Sequence, residues 1–146
     1  MTIMSDAPMT RKGHCHCGAV QFTATFPDGE LRGSRCNCSI CAMKGAVMVY
    51  IPLEDLTVTK GEDALNCYSF NTGAAKHYFC SHCGIHCFHQ ARSDPDKYAI
   101  NAACLDGVSP YDFAELRVND GIHHQLDNDG VVRTAGWLRY EANPED

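Results

Sequence analysis

The sequence predicts a mainly β fold, on three observations. Apolar residues recur with period two in short runs, as on a half-buried strand. Gly, Pro, Asn and Asp close those runs with turn chemistry. No window of about twelve residues carries a continuous helical apolar face.

The elements follow in order. Val20, Phe22, Ala24 and Phe26 alternate with Gln21, Thr23 and Thr25, giving a strand that Pro27-Asp28-Gly29 ends. Glu30 to Cys36 is expected to run back beside it. Ala46 to Ile51 is a buried apolar strand stopped at Pro52, and Leu56 to Thr59 is a short alternating one stopped at Lys60-Gly61. Leu65 to Phe70 and Ala75 to Phe79 flank Asn71-Thr72-Gly73, a hairpin signal. Ile85 to His89 and Tyr98 to Ala103 are two further strands, separated by the turn Ser93-Asp94-Pro95-Asp96. Pro110 to Phe113 reads as a helical turn. Residues 1–12 read as a flexible leader, 13–142 as a single domain and 143–146 as a frayed tail.

Composition narrows the function classes. The 146 residues include ten cysteines and eight histidines, with a net charge of −6. The acidic balance disfavours a nucleic-acid role, because phosphate contacts need clustered Lys and Arg. The longest apolar run, Ala46 to Ile51, is far too short to span a bilayer. The first residues, Met1-Thr2-Ile3-Met4-Ser5-Asp6, carry neither a basic stretch nor an apolar core of an export signal. The expectation is a cytoplasmic protein, where thiols stay reduced and clustered cysteines mean metal or catalysis.

Seven of the cysteines fall in three clusters. Cys15-His16-Cys17-Gly18 and Cys80-Ser81-His82-Cys83-Gly84 are two close pairs, each followed by glycine. Glycine there permits the positive φ of a tight knuckle. Together Cys15, Cys17, Cys80 and Cys83 make a closed four-thiolate set, the ligand field of a structural zinc. The third cluster, Cys36-Asn37-Cys38-Ser39-Ile40-Cys41, gives three thiolates and no evident fourth. Three ligands plus one open position is the plan of a catalytic zinc, and a soft site suits an incoming thiol. Two other readings stand beside it. One is a second closed site completed by Cys67, Cys87, Cys104 or a histidine. The other is a redox pair at Cys38 and Cys41. Cys67, Cys87 and Cys104 are otherwise expected to pack, with Cys104 placed where it could line a pocket. His77, His86 and His89 are candidate proton shuttles, although a surface or strand-end position is the commoner setting. His123-His124 reads as a solvated loop.

Three stretches carry a resemblance: Gly13-His14-Cys15-His16-Cys17-Gly18-Ala19-Val20, the Cys36 to Cys41 run, and His77-Tyr78-Phe79-Cys80-Ser81-His82-Cys83-Gly84-Ile85-His86. With Asn101 to Val108 they resemble the glutathione-dependent formaldehyde-activating enzyme family, which includes centromere protein V. The resemblance covers about residues 13 to 115. It implies a β-tent fold of small antiparallel sheets with zinc knuckles. It implies a structural zinc on Cys15, Cys17, Cys80 and Cys83 and a catalytic zinc on Cys36, Cys38 and Cys41. It further implies a carbon–sulfur lyase joining glutathione and formaldehyde into S-(hydroxymethyl)glutathione. The alternatives are a related enzyme for another thiol or aldehyde, and a non-catalytic zinc-binding interaction module. Arg35 and Lys44, flanking the middle cluster, are the candidates to meet the carboxylates of glutathione.

Overall fold

The computed structural model describes residues 7–92, 94–124, 129–131 and 133–145. Part of the expected leader, Ser93 of one expected turn and the last residue of the tail lie outside these.

Among the described residues eleven strands form two sheets, joined by one short α-helix and four single 3-10 turns. The strands are β1 (Met9–His14), β2 (Gln21–Phe26), β3 (Ser34–Cys36), β4 (Met48–Pro52), β5 (Leu56–Lys60), β6 (Leu65–Tyr68), β7 (Lys76–Cys80), β8 (His86–Gln90), β9 (Lys97–Asn101), β10 (Glu115–Asn119) and β11 (Thr134–Arg139). The helix α1 is Ser39–Lys44. The small sheet has the order β1-β2-β5, and the large one β11-β10-β3-β4-β9-β8-β7-β6. All pairings are antiparallel except β10 with β3.

The alternation read for Val20 to Phe26 holds: Phe22, Ala24 and Phe26 are buried and the residues between them are not. Phe22 meets Phe88 of the large sheet edge to face, with ring centroids 5.6 Å apart, so the two sheets share one core. Val49, Ile51, Ile100 and Cys87 are among the residues that fill it. Burying such side chains contributes about 1.5–3 kcal/mol each.

Four expectations need correction. Met9–His14, mostly inside the expected leader, pairs along β2 through alternating contacts that end at His14↔Gln21. The run from Glu30 is strand only at Ser34–Cys36, and it lies between β10 and β4 rather than beside β2. β10 and β11 extend the sheet beyond the last expected strand. Cys67, expected to pack, is exposed on the edge strand β6; Cys87 and Cys104 are buried. Among the described residues no helix is long and apolar enough to cross a membrane.

Candidate metal centres and the cavity beside them

The two glycine-ended pairs form matching knuckles. The Cys15 N–H donates to the Val20 carbonyl (3.1 Å), and the Cys80 N–H donates to the Ile85 carbonyl (3.0 Å). Each loop turns at its glycine, Gly18 at φ 79° and Gly84 at φ 77°, a region where a side chain would be strained. The two loops face each other. Cys15 Sγ lies 3.6 Å from Cys17 Sγ, and Cys17 Sγ 3.7 Å from Cys80 Sγ. All four sulfurs, Cys83 included, lie within 4.8 Å of one another. A tetrahedron with metal–sulfur bonds of about 2.3 Å has edges of about 3.8 Å, so the set fits a four-thiolate ion. Backbone N–H groups of Val20 and His82 donate to Cys15 and Cys80 Sγ, each at 3.3 Å, as a thiolate's surroundings should.

The Cys36, Cys38 and Cys41 sulfurs also lie within 4.8 Å of one another. Cys36 ends β3, and Cys38 is the N-cap of α1 with extended backbone (φ −62°, ψ 165°). Cys41 follows three residues on, so the first helical turn sets Cys38 and Cys41 on one face. Hydrogen bonds from the Cys36 and Cys41 thiols hold the Cys38 thiolate at about 2. Hydrogen bonding to its two neighbours pushes Cys41 upward, and the bond to Cys38 does the same to Cys36. Charge on Cys38 is thus favoured over charge on Cys36 and Cys41. A cation bound by all three sulfurs would displace their remaining protons, which is the donor chemistry zinc uses. No other histidine, cysteine or carboxylate among the described residues joins this triple. The fourth-ligand role considered for Cys67, Cys87, Cys104 or a histidine is unsupported by the placement.

The segment after β10 clamps this loop, and nothing in the sequence pattern pointed to it. The Asn37 N–H donates to the Asn119 carbonyl (3.2 Å), Asn37 Nδ2 donates to Asp120 Oδ1 (3.3 Å), and the Ile122 N–H donates to Asn37 Oδ1 (3.1 Å). Gly121 packs on the cluster itself: a Cβ there would sit 2.4 Å from Cys36 Sγ and 2.8 Å from Cys38 Cβ. Asp120 is held by His123, whose Nδ1 lies 2.8 Å from Oδ2, and its pKa is lowered by that contact.

A cavity of about 500 Å³ opens on the three cysteines. Tyr50, His77 and His89 line it, as do Arg92, Arg117 and Arg133. His77 and His89 are each 4% exposed, contrary to the surface setting expected of them. The β7–β8 register sets them directly opposite, with ring centroids 4.8 Å apart. Lys44 Nζ donates to His77 Nδ1 (2.7 Å) and His86 Nε2 (3.2 Å), and His89 Nδ1 lies 3.4 Å from His86 Nε2. Burial and then the Lys44 charge depress the histidines, to about 4 for His77, 2 for His86 and 3 for His89. Burial also lowers Lys44, to about 8. At neutral pH the cluster is one ammonium among three neutral imidazoles. Lys44 is thus committed to histidines, and neither it nor Arg35 lines the cysteine cavity. Both line a second hollow of about 420 Å³, and Arg35 Nε is buried without a partner.

Comparison with known proteins agrees with this architecture. Residues 10–118 match the family described as glutathione-dependent formaldehyde-activating enzyme. A Halomonas elongata protein, provisionally named for that same activity, is 26% identical over an alignment of 146 residues, covering 94% of this chain and 85% of the relative. The crystal structure of a Rhodobacter sphaeroides protein superposes with a TM-score of 0.70 at 44% identity, covering 73% of this chain and 98% of that one.

Proposed function

Because the chain belongs to the glutathione-dependent formaldehyde-activating enzyme family, we propose that it joins a thiol to a small aldehyde as an S-(hydroxymethyl)glutathione synthase, a zinc-dependent carbon–sulfur lyase named for the reverse cleavage. One observation carries the reading: the three-cysteine cluster opens on a cavity, whereas the four-cysteine cluster closes on itself. Cys15, Cys17, Cys80 and Cys83 would hold a structural ion, and Cys36, Cys38 and Cys41 a catalytic one. Zinc on the latter set supplies a Lewis acid with a position for a substrate sulfur, lowering that thiol's pKa.

The protein's own residues do the rest. The Asn37 clamp and Gly121 hold the three sulfurs convergent. The cavity brings the thiol and aldehyde together, which removes the entropy cost of a two-body encounter. The sulfur lone pair forms the new carbon–sulfur bond as the carbonyl π pair moves to oxygen. Cavity water protonates that oxygen, and the thiol's proton leaves to solvent. Lys44, fixed by His77 and His86, places a positive charge beside the cluster that offsets the thiolates' negative charge.

The test is the Cys38→Ser variant, followed by NMR of hydroxymethyl-thiol formation from glutathione and formaldehyde. Turnover should fall to the uncatalysed rate while one tightly held zinc per chain remains. A wild-type protein no faster than the uncatalysed reaction would sink the proposal.

A further inference from the structure

The cavity walls divide by sequence. Cys36, Cys38, Cys41, His77 and His89 lie inside the stretch the family shares, residues 10–118. Arg133 lies beyond it, and Arg117 sits at its last edge. The hairpin of β10 and β11 brings these two arginines together. Arg117 Nε donates to Thr134 Oγ1 at 2.7 Å, and Thr134 is the chain neighbour of Arg133. That bond engages Arg117 through its Nε, and no bond to its two terminal nitrogens is seen among the described residues. Neither guanidinium has a carboxylate partner among the described residues, while Arg139 pairs with Glu115 and Arg32 with both Asp28 and Glu30. Asp120 is the one carboxylate among the described residues lining this cavity, and its oxygens are taken by His123 and Asn37. The cavity is thus lined both by thiols and by guanidinium groups, with the one acid among its described lining residues already engaged.

A planar guanidinium pair matches a carboxylate in charge and in fork geometry. We infer that Arg117 and Arg133 form a carboxylate-binding wall that selects anionic thiols over neutral ones of the same reactivity. This rests on the proposed thiol–aldehyde reaction and adds to it the residues that choose the thiol. It places selection on the hairpin rather than on Arg35 and Lys44, which face the other hollow. Arg117 and Arg133 are specificity residues here, because they meet the far end of the substrate and not its reacting sulfur.

S-methylglutathione separates the two ends. Its sulfur is capped, so it reports on the carboxylate wall without turnover. The experiment is calorimetric titration of the zinc-loaded protein with S-methylglutathione, for wild type, Arg117→Gln and Arg133→Gln, at low and moderate salt. A charge-assisted bond is worth enough that each substitution should weaken binding about tenfold. The wild-type affinity should fall with salt more steeply than that of either variant. In parallel, steady-state rates with formaldehyde should show a raised KM for glutathione in both variants and an unchanged KM for 2-mercaptoethanol. Equal S-methylglutathione affinity in wild type and both variants would overturn the inference, as would no binding to the wild type. Equal losses for glutathione and 2-mercaptoethanol would also overturn it, since a disturbed fold rather than a lost anion contact would explain them. A wild type that binds S-methylglutathione through these arginines yet accelerates no thiol–formaldehyde addition would instead refute the proposed reaction and leave the anion wall standing.

Discussion

Replacing Gly121 by alanine should separate the two metal sites. The added Cβ would lie 2.4 Å from Cys36 Sγ, 2.8 Å from Cys38 Cβ and 3.2 Å from the Cys38 nitrogen. Ordinary contacts of such atoms are about 3.5–4.0 Å, so the overlap is about 1 Å against two of the three ligand residues at once. Overpacking of this kind costs about 1–3 kcal/mol. Relief requires either the Asn37 clamp to open or the Cys36 sulfur to move. Metal bonds tolerate only about 0.2 Å of error, so either movement lands on the cluster. If the whole cost appears as lost metal affinity, binding at the three-cysteine site weakens about 5- to 150-fold. The knuckles around Cys15 and Cys80 are untouched. The assay is zinc content by mass spectrometry across a chelator series. Wild type should release two ions in separate steps, and Gly121→Ala should lose the first step at much lower chelator while keeping the second. Release curves identical to wild type would refute the packing argument.

Three further outcomes are expected. Cys80→Ser should abolish the cooperative thermal transition followed by circular dichroism, because the closed site ties β1 to β7 across the core and its ion contributes folding energy directly; a transition within a few degrees of wild type would contradict this. Stability of the zinc-loaded protein should fall as pH drops from about 6.5 towards 4. His77 and His89 are buried neutral with depressed pKa values, so the unfolded chain takes up their protons first. The slope in chemical denaturation should be shallower in His89→Gln, and an unchanged slope would remove that histidine from the account. Cys67→Ser should leave zinc content, stability and activity within error of wild type, because its side chain is exposed on an edge strand.

What could be read from sequence was local. The Phe22-Ala24-Phe26 alternation and the spacings inside each cysteine cluster are set by neighbours a few residues apart. Period and turn chemistry therefore exposed them. What was missed depends on register and on distant pairing. His77 and His89 looked like strand-end residues, and only the β7–β8 register turns them inward against each other. Lys44 read as a candidate for the carboxylates of glutathione, but the sheet places His77 and His86 beside it. β11 exposes five of its six side chains and carries no alternation, and in β10 only Leu116 and Val118 alternate with polar neighbours, too short a run to stand out. Their placement comes from the parallel pairing of Asn119 with Cys36, a contact no local pattern encodes. Gly121 and Arg133 were invisible for the same reason.

The Asn37–Asp120 bond joins residues 83 positions apart, and this sets an order in time. A ribosome releases the chain from its N-terminus, so Cys15 and Cys80 can meet while the last third is still unmade. The Cys36 to Cys41 loop gains its clamp only when residues 119–122 emerge. The four-cysteine cluster can therefore assemble early in synthesis, whereas the three-cysteine cluster waits for the chain's last third. In that interval its sulfurs lack the clamp that later holds them together.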